Sequence, residues 1–260
     1  LLRHLGLVVR IINLVQRPNE DILNGALSIL SILSAYENTR SEVFAAGGVA
    51  PLIVILRCAQ GESLQQRATR TIANQSQHTA SCQELFRLDI LKLIHDVMEN
   101  CENEDTKISA IRALRLLGKT GDKCQKIIEA KGITQVCAVG FGSPGDSPSE
   151  DLIKATLKTL VHFSRVHHPI CVKQIMSSTN NLAVVTKFST HEDAEIYNMV
   201  LTILLNVMKP CVSPERSSAA FKQDLLDEIL ALLCWKANAP TILAMELKNP
   251  RDNSISECIF

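Results

Sequence analysis

Apolar residues recur at helical spacing along most of the chain, in groups that alternate between short and long. In residues 62–77, ESLQQRATRTIANQSQ, the apolar positions Leu64, Ala68 and Ile72 fall four residues apart, with polar and charged side chains between them. This pattern predicts an amphipathic helix. A Gly-Gly turn with the short apolar segment VAPLIVILRC precedes it, and the short charged segment ENTRSEVFA precedes that turn. Three predicted helices in about forty residues form one candidate repeat unit.

The apolar centres of the predicted helices return at nearly constant intervals. In the long helices they are Leu30, Ile72, Leu114, Leu160 and Leu204, at intervals of 42, 42, 46 and 44 residues. In the middle helices they are Leu7, Val49, Ile90, Ile133, Leu182 and Leu225, at intervals of 42, 41, 43, 49 and 43. The interval of 46 contains the Gly-, Pro- and Ser-rich segment 142–149, which we interpret as a surface loop. Because a single three-helix unit cannot bury its apolar faces, the period predicts an all-α solenoid of stacked units.

The repeats are predicted to occupy residues 1–235. The units are 1–37 (partial), 38–77, 78–120, 121–166, 167–209 and 210–235 (partial). Asn19 is a candidate N-cap for the helix that follows it, and Gly118 stands where a long helix is expected to end. After residue 235 the apolar pattern fades, so residues 236–260 are predicted to be irregular.

Composition supports a helical core and excludes some partners. Apolar residues make up 46% of the chain but aromatic residues only 4%, which disfavours a β-sandwich. Lys plus Arg equals Asp plus Glu, at 27 each, so no net charge attracts nucleic acid or an acidic membrane. No apolar run reaches the roughly 18 residues of a membrane-spanning helix. We therefore expect neither nucleic acid nor a membrane as partner.

The nine cysteines favour a reducing compartment. Their number is odd and no two have C-x-x-C spacing, which is not typical of a disulfide framework. Most lie in apolar helical segments, where a free cysteine acts as a small hydrophobic residue. We expect a cytoplasmic or nuclear protein.

Catalytic and metal-binding motifs are absent from the sequence. It contains no Gly-rich phosphate loop after a strand, no nucleophile elbow and no H-E-x-x-H, so we expect no enzyme activity, cofactor or small-molecule substrate. A group of potential zinc ligands comprises His162, His167, His168 and Cys171. Its spacing fits no closed zinc site, because His162 falls inside a predicted helix and His167 and His168 precede Pro169. No metal site is predicted.

The glycine pair and the A-x-x-x-I-A-N run of Ala68–Asn74 resemble armadillo repeats, whose period matches the intervals above. The resemblance covers about residues 1–235 and implies a right-handed superhelix with a concave groove for extended peptides. Residues 39–77 are also similar to the repeats of the armadillo repeat-containing protein five family. That resemblance implies a BTB domain outside this sequence and a role as substrate adaptor for a cullin-three ubiquitin ligase.

The resemblance also indicates where peptides would bind, at pairs of positions four apart on the long helices. The pairs are Ser28 and Ile32, Arg70 and Asn74, Arg112 and Leu116, Lys158 and His162, and Thr202 and Asn206. From the last four of these pairs we take the candidate groove residues Arg70, Asn74, Arg112, Lys158, His162, Thr202 and Asn206. The asparagines match the family's backbone clamp, although they would also suit ties between neighbouring helices. Nearby are Arg67, Arg115 and Lys154.

Two hypotheses follow. The first is a non-enzymatic scaffold or adaptor whose basic side chains bind an extended, acidic peptide of a partner protein. A solvated helix face without a ligand would carry the same basic residues. The second hypothesis is an oligomerising structural scaffold without a peptide groove, which would use exposed apolar ends of the stack.

Overall fold

The regular structure in the described part of the chain is helical, which confirms the predicted all-α class. The computed structural model describes residues 6–17, 19–58, 61–142, 146–165, 174–175, 185, 188 and 191–212. The helices are α1 Leu7–Val15, α2 Glu20–Leu33, α3 Glu37–Ala45, α4 Val49–Cys58, α5 Glu62–Gln75, α6 Thr79–Arg87, α7 Ile90–Asn100, α8 Glu104–Leu117, α9 Gly121–Glu129, α10 Gly132–Phe141, α11 Glu150–Ser164 and α12 Ala194–Val212.

The chain divides into two compact units, residues 1–159 and 160–260. In the first unit, helices follow one another as short, middle and long members of a triplet. The middle helices α1, α4 and α7 pack on the long helices α2, α5 and α8 that follow them, and the long helices pack side by side in that order. This is the stacking that the repeat interval predicts, because each long helix covers the apolar face of its neighbour.

The apolar centres of the long helices form the core. Leu30, Ile72, Leu114, Leu160 and Leu204 are all buried. Among the middle-helix positions, Val49, Ile90 and Ile133 are buried, Leu7 is half-buried, and Leu182 and Leu225 lie outside the described residues. The described residues of the 142–149 segment are non-helical, as predicted.

Side-chain caps fix where the long helices α2 and α8 begin. The Asn19 side chain accepts a hydrogen bond from the Ile22 amide at 2.9 Å, which confirms it as an N-cap. Asn103 caps α8 through the Thr106 amide, also at 2.9 Å. Both helices carry two acidic residues in the first turn, where negative charge suits the helix dipole. The intervening helix α5 has Gly61 at this position and no side-chain cap, so the cap is not shared by every repeat.

A left-handed residue precedes each middle helix of the first unit. These residues are Gly6, Gly47, Asp89 and Lys131, with φ between 57° and 72°. By the interval of 41 residues between Val49 and Ile90, Asp89 corresponds to Gly48. By its left-handed backbone conformation, Asp89 instead corresponds to Gly47. Gly48 instead approaches the preceding helix closely, because a Cβ there would lie 2.8 Å from Val43 Cγ1. The chain thus changes direction at one fixed position of the repeat.

Replacing Lys131 with glycine is expected to raise the free energy of unfolding by about 1 kcal/mol, since L-residues are strained in the left-handed region. The measurement is the urea midpoint followed by circular dichroism. Lys92→Gly is the matched control, because Lys92 is an exposed residue within α7 and glycine there should destabilise. An unchanged midpoint for Lys131→Gly would show that this backbone position is not strained.

The second unit is described over fewer residues. There α12 lies beside the end of α11, and the Asn206 amide donates to Ser164 Oγ at 3.0 Å. The side chains beyond Val207, the predicted partial unit 210–235 and the irregular segment 236–260 lie outside the description. The predicted repeat boundaries therefore stay predictions.

No single helix among the described residues is long and apolar enough to cross a bilayer. By length and composition, only α3 and α4 taken together would qualify, and they are bent by 85° where they meet.

Candidate functional site

A cleft of about 400 Å³ opens along the long helices α2, α5 and α8, and we call it the α2–α5–α8 cleft. Its lining residues are Ser28, Ser31, Ile32, Ala35, Tyr36, Gln66, Arg67, Arg70, Asn74 and Arg112. It joins positions from three successive repeats, because equivalent faces of neighbouring long helices lie side by side. An extended segment of a partner could therefore contact all three helices at once.

The C-terminus of α2, at one end of the cleft, is capped by side chains from later helices. The Asn74 amide donates to the Ser31 carbonyl at 3.1 Å, and the Thr39 hydroxyl donates to the Leu33 carbonyl. The Arg40 guanidinium donates to the carbonyls of Ser34 and Ala35, at 3.4 and 3.0 Å. The final carbonyls of a helix lack partners within it, and a cation there also suits the dipole. This end of α2 is consequently fixed by the next repeat.

Asn74→Leu is expected to lower the free energy of unfolding by about 2 kcal/mol, because the Ser31 carbonyl loses its donor in a buried position. Asn74 is only 3% exposed, so water cannot replace the amide. The urea midpoint of the variant measures the loss. Asn100→Leu is the control, since Asn100 is exposed and bonds only to the Asp96 carbonyl of its own helix. Equal midpoints for both variants would contradict the tie between helices.

Arginines form one wall of the cleft. Arg67, Arg70 and Arg112 line it, and burial, followed by the charges of Arg70 and Arg40, lowers the pKa of Arg112. Arg67 is held by Asn24, whose side-chain oxygen accepts at 2.7 Å. In the described residues no carboxylate forms an ion pair with Arg67, Arg70 or Arg112. The wall therefore carries uncompensated positive charge.

A neighbouring arginine extends this charge along α8. Burial, followed by the charge of Arg112, lowers the pKa of Arg115. Asp105, at the start of α8, accepts a hydrogen bond from the cleft residue Gln66 at 3.1 Å. Mutual repulsion between arginines is relieved when an anion binds among them, so the geometry favours a negatively charged ligand.

The α2 side of the cleft combines exposed apolar side chains with Ser28 and Ser31. Ile32 on α2 is 62% exposed, and Tyr36, just after α2, is 65% exposed, with Ala35 between them. Tyr36 occupies the N-cap position of α3 but makes no side-chain capping bond. Its ring is therefore free of that structural role, and it faces solvent beside the arginines.

The structure brings together three of the predicted groove residues, Arg70, Asn74 and Arg112, with nearby Arg67. Lys158 is exposed on α11 and does not line this cleft. The amide nitrogen of Asn74 bonds to α2, as expected for a tie between helices, which was the second interpretation of this residue.

The other predicted residues lie in the second unit. His162 is half-buried, and its ring meets that of Phe163 edge-on, with centroids 5.2 Å apart. The Thr202 hydroxyl donates to the Asn198 carbonyl at 2.7 Å within α12. The Asn206 amide is bonded to Ser164, as described above. Their predicted role in a groove stays a prediction.

Sequence reasoning missed Arg40 and Tyr36. Both lie on or next to the short helix α3, whereas the search followed only the long helices. Tyr36 could have been noticed from the sequence, because it is one of only two tyrosines in the chain and comes shortly after a predicted apolar helix. Arg40 offered no sequence signal, because its role depends on the position of the α2 carbonyls.

Most cysteines in the described part of the chain are buried. Cys82, Cys101, Cys124 and Cys137 are buried thiols, while Cys58 is exposed. Burial raises the pKa of Cys124 to about 11, which keeps its thiol protonated and unreactive. Of the candidate zinc ligands only His162 is described, and the described residues contain no cluster suited to a metal ion.

Comparison with known families gives a match over most of the chain. The model of the ARMC5 armadillo region (ARM_ARMC5) matches residues 21–221. Mouse (Mus musculus) armadillo repeat-containing protein 5 is 36% identical over 63 residues, which are 24% of this chain and 7% of that protein. The match thus spans a small part of that relative's length.

Solved structures show the same fold at low sequence identity. A designed armadillo repeat protein in complex with the peptide (KR)4 has a TM-score of 0.71 at 15% identity, over 96% of this chain and 95% of that one. An armadillo-repeats-only protein from Plasmodium falciparum has a TM-score of 0.65 at 16% identity, over 79% and 94%. These similarities confirm the predicted solenoid of three-helix armadillo repeats.

Proposed function

Because the chain belongs to the ARMC5 family of armadillo-repeat proteins, we propose that it is a non-enzymatic binding module that holds an extended acidic peptide of a partner protein. The α2–α5–α8 cleft is the proposed site. The supporting observation is the wall of Arg67, Arg70 and Arg112, which no carboxylate of the described residues neutralises.

Charge decides the class of peptide. The designed relative is in complex with the basic peptide (KR)4. Such a peptide would be repelled by the three arginines of this cleft, whereas carboxylates would form charge-assisted hydrogen bonds with them. The cleft is also lined by the Ser28 and Ser31 hydroxyls, which can bond to a peptide backbone. Fold and charge together therefore support an acidic ligand.

The proposal is tested by fluorescence anisotropy with two labelled peptides of equal length. One repeats Glu and Gly, and the other repeats Lys and Gly. We expect the glutamate peptide to bind, with an affinity that falls as salt is raised, and the lysine peptide not to bind. Equal binding of the two peptides, or of neither, would overturn the proposal.

A wider role follows if the repeats act within a longer protein. We propose that they select substrates for a cullin-three ubiquitin ligase, with a BTB domain elsewhere in that protein, as the family resemblance implies. The free cysteines are consistent with a reducing location, cytoplasmic or nuclear. Co-purification of the full-length protein with cullin-three, and its loss when the BTB domain is removed, would test this role.

A second candidate function is oligomerisation through the first helices. Ile22 and Ile29 on α2 are exposed, whereas the residues 42 positions later, Leu64 and Thr71 on α5, are buried by the preceding repeat. The exposed apolar side chains of Ile22 and Ile29 would suit self-association of the kind that a structural scaffold needs. Light scattering over a range of protein concentrations tests this candidate function. A molar mass that stays that of the monomer at all concentrations would exclude self-association.

A further inference from the structure

We propose that the α2–α5–α8 cleft recognises a phosphorylated side chain of the bound peptide in preference to a carboxylate. The inference rests on the proposed function and adds the chemical group that the arginines select. It is supported by guanidinium groups from different helices that meet in one cleft, and no acidic side chain is among the described residues that line it.

The arginines of the cleft come from neighbouring repeats. Arg70 on α5 and Arg112 on α8 occupy equivalent positions of consecutive long helices, and these two helices pack against each other. Arg67 lies almost one turn before Arg70 on the same helix, so the two side chains share a face. All three arginines line the cleft. Since α5 packs against both α2 and α8, their convergence follows from the stacking of the repeats.

A fourth arginine adds its charge from the short helix α3. The Arg40 guanidinium is fixed at the end of α2, where it donates to the carbonyls of Ser34 and Ala35, and Ala35 lines the cleft. Burial, followed by the charges of Arg70 and Arg40, lowers the pKa of Arg112. Three cations from three helices therefore lie close enough to repel one another, and an anion bound among them would be attracted by all three.

The arginines that line the cleft also have hydrogen-bond donors available for a ligand. Among the described residues, neither Arg70 nor Arg112 forms a hydrogen bond or an ion pair. Arg67 donates from Nη1 to the side-chain and backbone oxygens of Asn24, at 2.7 and 3.4 Å, which orients its guanidinium. Because a guanidinium offers several N–H groups in a planar fork, Arg67 can also donate to a second acceptor.

Charge and the number of acceptor atoms favour a phosphate over a carboxylate. A phosphorylated side chain carries about two negative charges near neutral pH and has three strong acceptor oxygens. It can therefore bridge two guanidinium groups and still attract a third, whereas a carboxylate has a single charge and two oxygens. Clusters of arginine are a recurring means by which proteins recognise phosphorylated peptides. Converging cations in one cleft consequently match a dianion better than a monoanion.

The selectivity is tested by fluorescence anisotropy with three labelled peptides. They share a background of Gly and Ser with flanking glutamates and differ only at the central residue, which is phosphoserine, glutamate or serine. We expect the phosphoserine peptide to bind about tenfold more tightly than the glutamate peptide, since a further hydrogen bond between charged groups is worth at least that much. The serine peptide should bind most weakly. Inorganic phosphate at the same ionic strength should compete far less well than the unlabelled phosphoserine peptide.

The pH dependence shows whether the doubly charged phosphate is the recognised group. Its second pKa is about 6, whereas a glutamate side chain titrates near about 4.3. Lowering the pH from about 7.5 to about 5 should therefore remove most of the advantage of phosphoserine and leave the affinity of the glutamate peptide nearly unchanged. No histidine and no carboxylate is among the described residues that line the cleft, so this change would come from the phosphate.

The variant Arg112→Gln tests whether the converging arginines supply the selectivity. It removes one cation and keeps a polar side chain, so we expect the preference for phosphoserine over glutamate to fall to about twofold. Lys92→Gln is the matched control, because Lys92 is exposed on α7 and does not line the cleft, and it should retain the full preference. Circular dichroism verifies that both variants fold. Arg70→Gln, at an exposed position, repeats the test with less disturbance of packing.

The outcomes separate this inference from the proposed function. If the phosphoserine and glutamate peptides bind equally, the phosphate selectivity is overturned and the cleft for acidic peptides stands. If inorganic phosphate competes as well as the phosphoserine peptide, or if Arg112→Gln and Lys92→Gln reduce the preference equally, the inference is overturned as well. If none of the three peptides binds, the proposed function and the inference fall together.

Discussion

Gly140→Val is expected to destabilise the protein by about 3 kcal/mol or more, through overpacking between α10 and α11. A Cβ on Gly140 would lie 1.8 Å from Thr156 Oγ1 and 2.7 Å from Thr156 Cβ. Thr156 is fully buried, and its hydroxyl donates to the Leu152 carbonyl at 2.8 Å, so it cannot turn away without losing that bond. The two helices would have to separate.

Urea denaturation followed by circular dichroism measures this effect, and Gly25→Ala is the matched control. Gly25 is also a helical glycine, on α2, but a Cβ there meets nothing within 4 Å. Alanine at position 25 should therefore raise the free energy of unfolding by about 0.5–1 kcal/mol, because it stiffens the helix. If Gly140→Val and Gly25→Ala shifted the midpoint in the same direction, close approach of α10 and α11 would not be the cause.

The contrast between these two glycines shows what the sequence could predict. The period of the apolar residues placed the helices and their buried centres, because burial of a helix face depends on spacing along one chain. Nothing in GITQVCAVGF distinguishes Gly140 from a glycine in open space, since the distinction depends on Thr156 of another helix. Contacts between helices become predictable only when their relative position is known.

The residues of the candidate site likewise include some that the sequence could predict and some that it could not. Arg70 and Arg112 were predicted to share a surface because they occupy equivalent positions on consecutive long helices, and both line the cleft. Lys158 occupies the next equivalent position but lies outside it. Tyr36 was not predicted, because it follows a helix and belongs to no helical stripe. Asn74 left two interpretations open, and only the 3.1 Å bond to Ser31 identifies its amide as a helix tie.

The double variant Arg70→Glu, Arg112→Glu is expected to remain folded and to lose at least about 100-fold in affinity for an acidic peptide. Two attractive contacts become repulsive, and each lost charge-assisted contact is worth about tenfold or more. Neither guanidinium has a hydrogen-bond or ion-pair partner in the described residues, so the two substitutions break no such contact. We therefore expect the double variant to remain folded, and circular dichroism checks this.

A control variant with the same change in net charge, placed away from the cleft, distinguishes binding at the cleft from attraction by the overall charge of the protein. Arg10→Glu with Lys92→Glu changes the net charge by the same amount, at exposed positions on α1 and α7 that do not line the cleft. If the cleft binds the peptide, this control should retain affinity within about twofold, since exposed charges beyond the Debye length of about 8 Å are screened at physiological salt. Equal losses in both variants would mean that overall charge attracts the peptide. Binding of a lysine peptide by the cleft variant alone would instead locate selectivity at Arg70 and Arg112, because the reversed wall would attract the opposite charge.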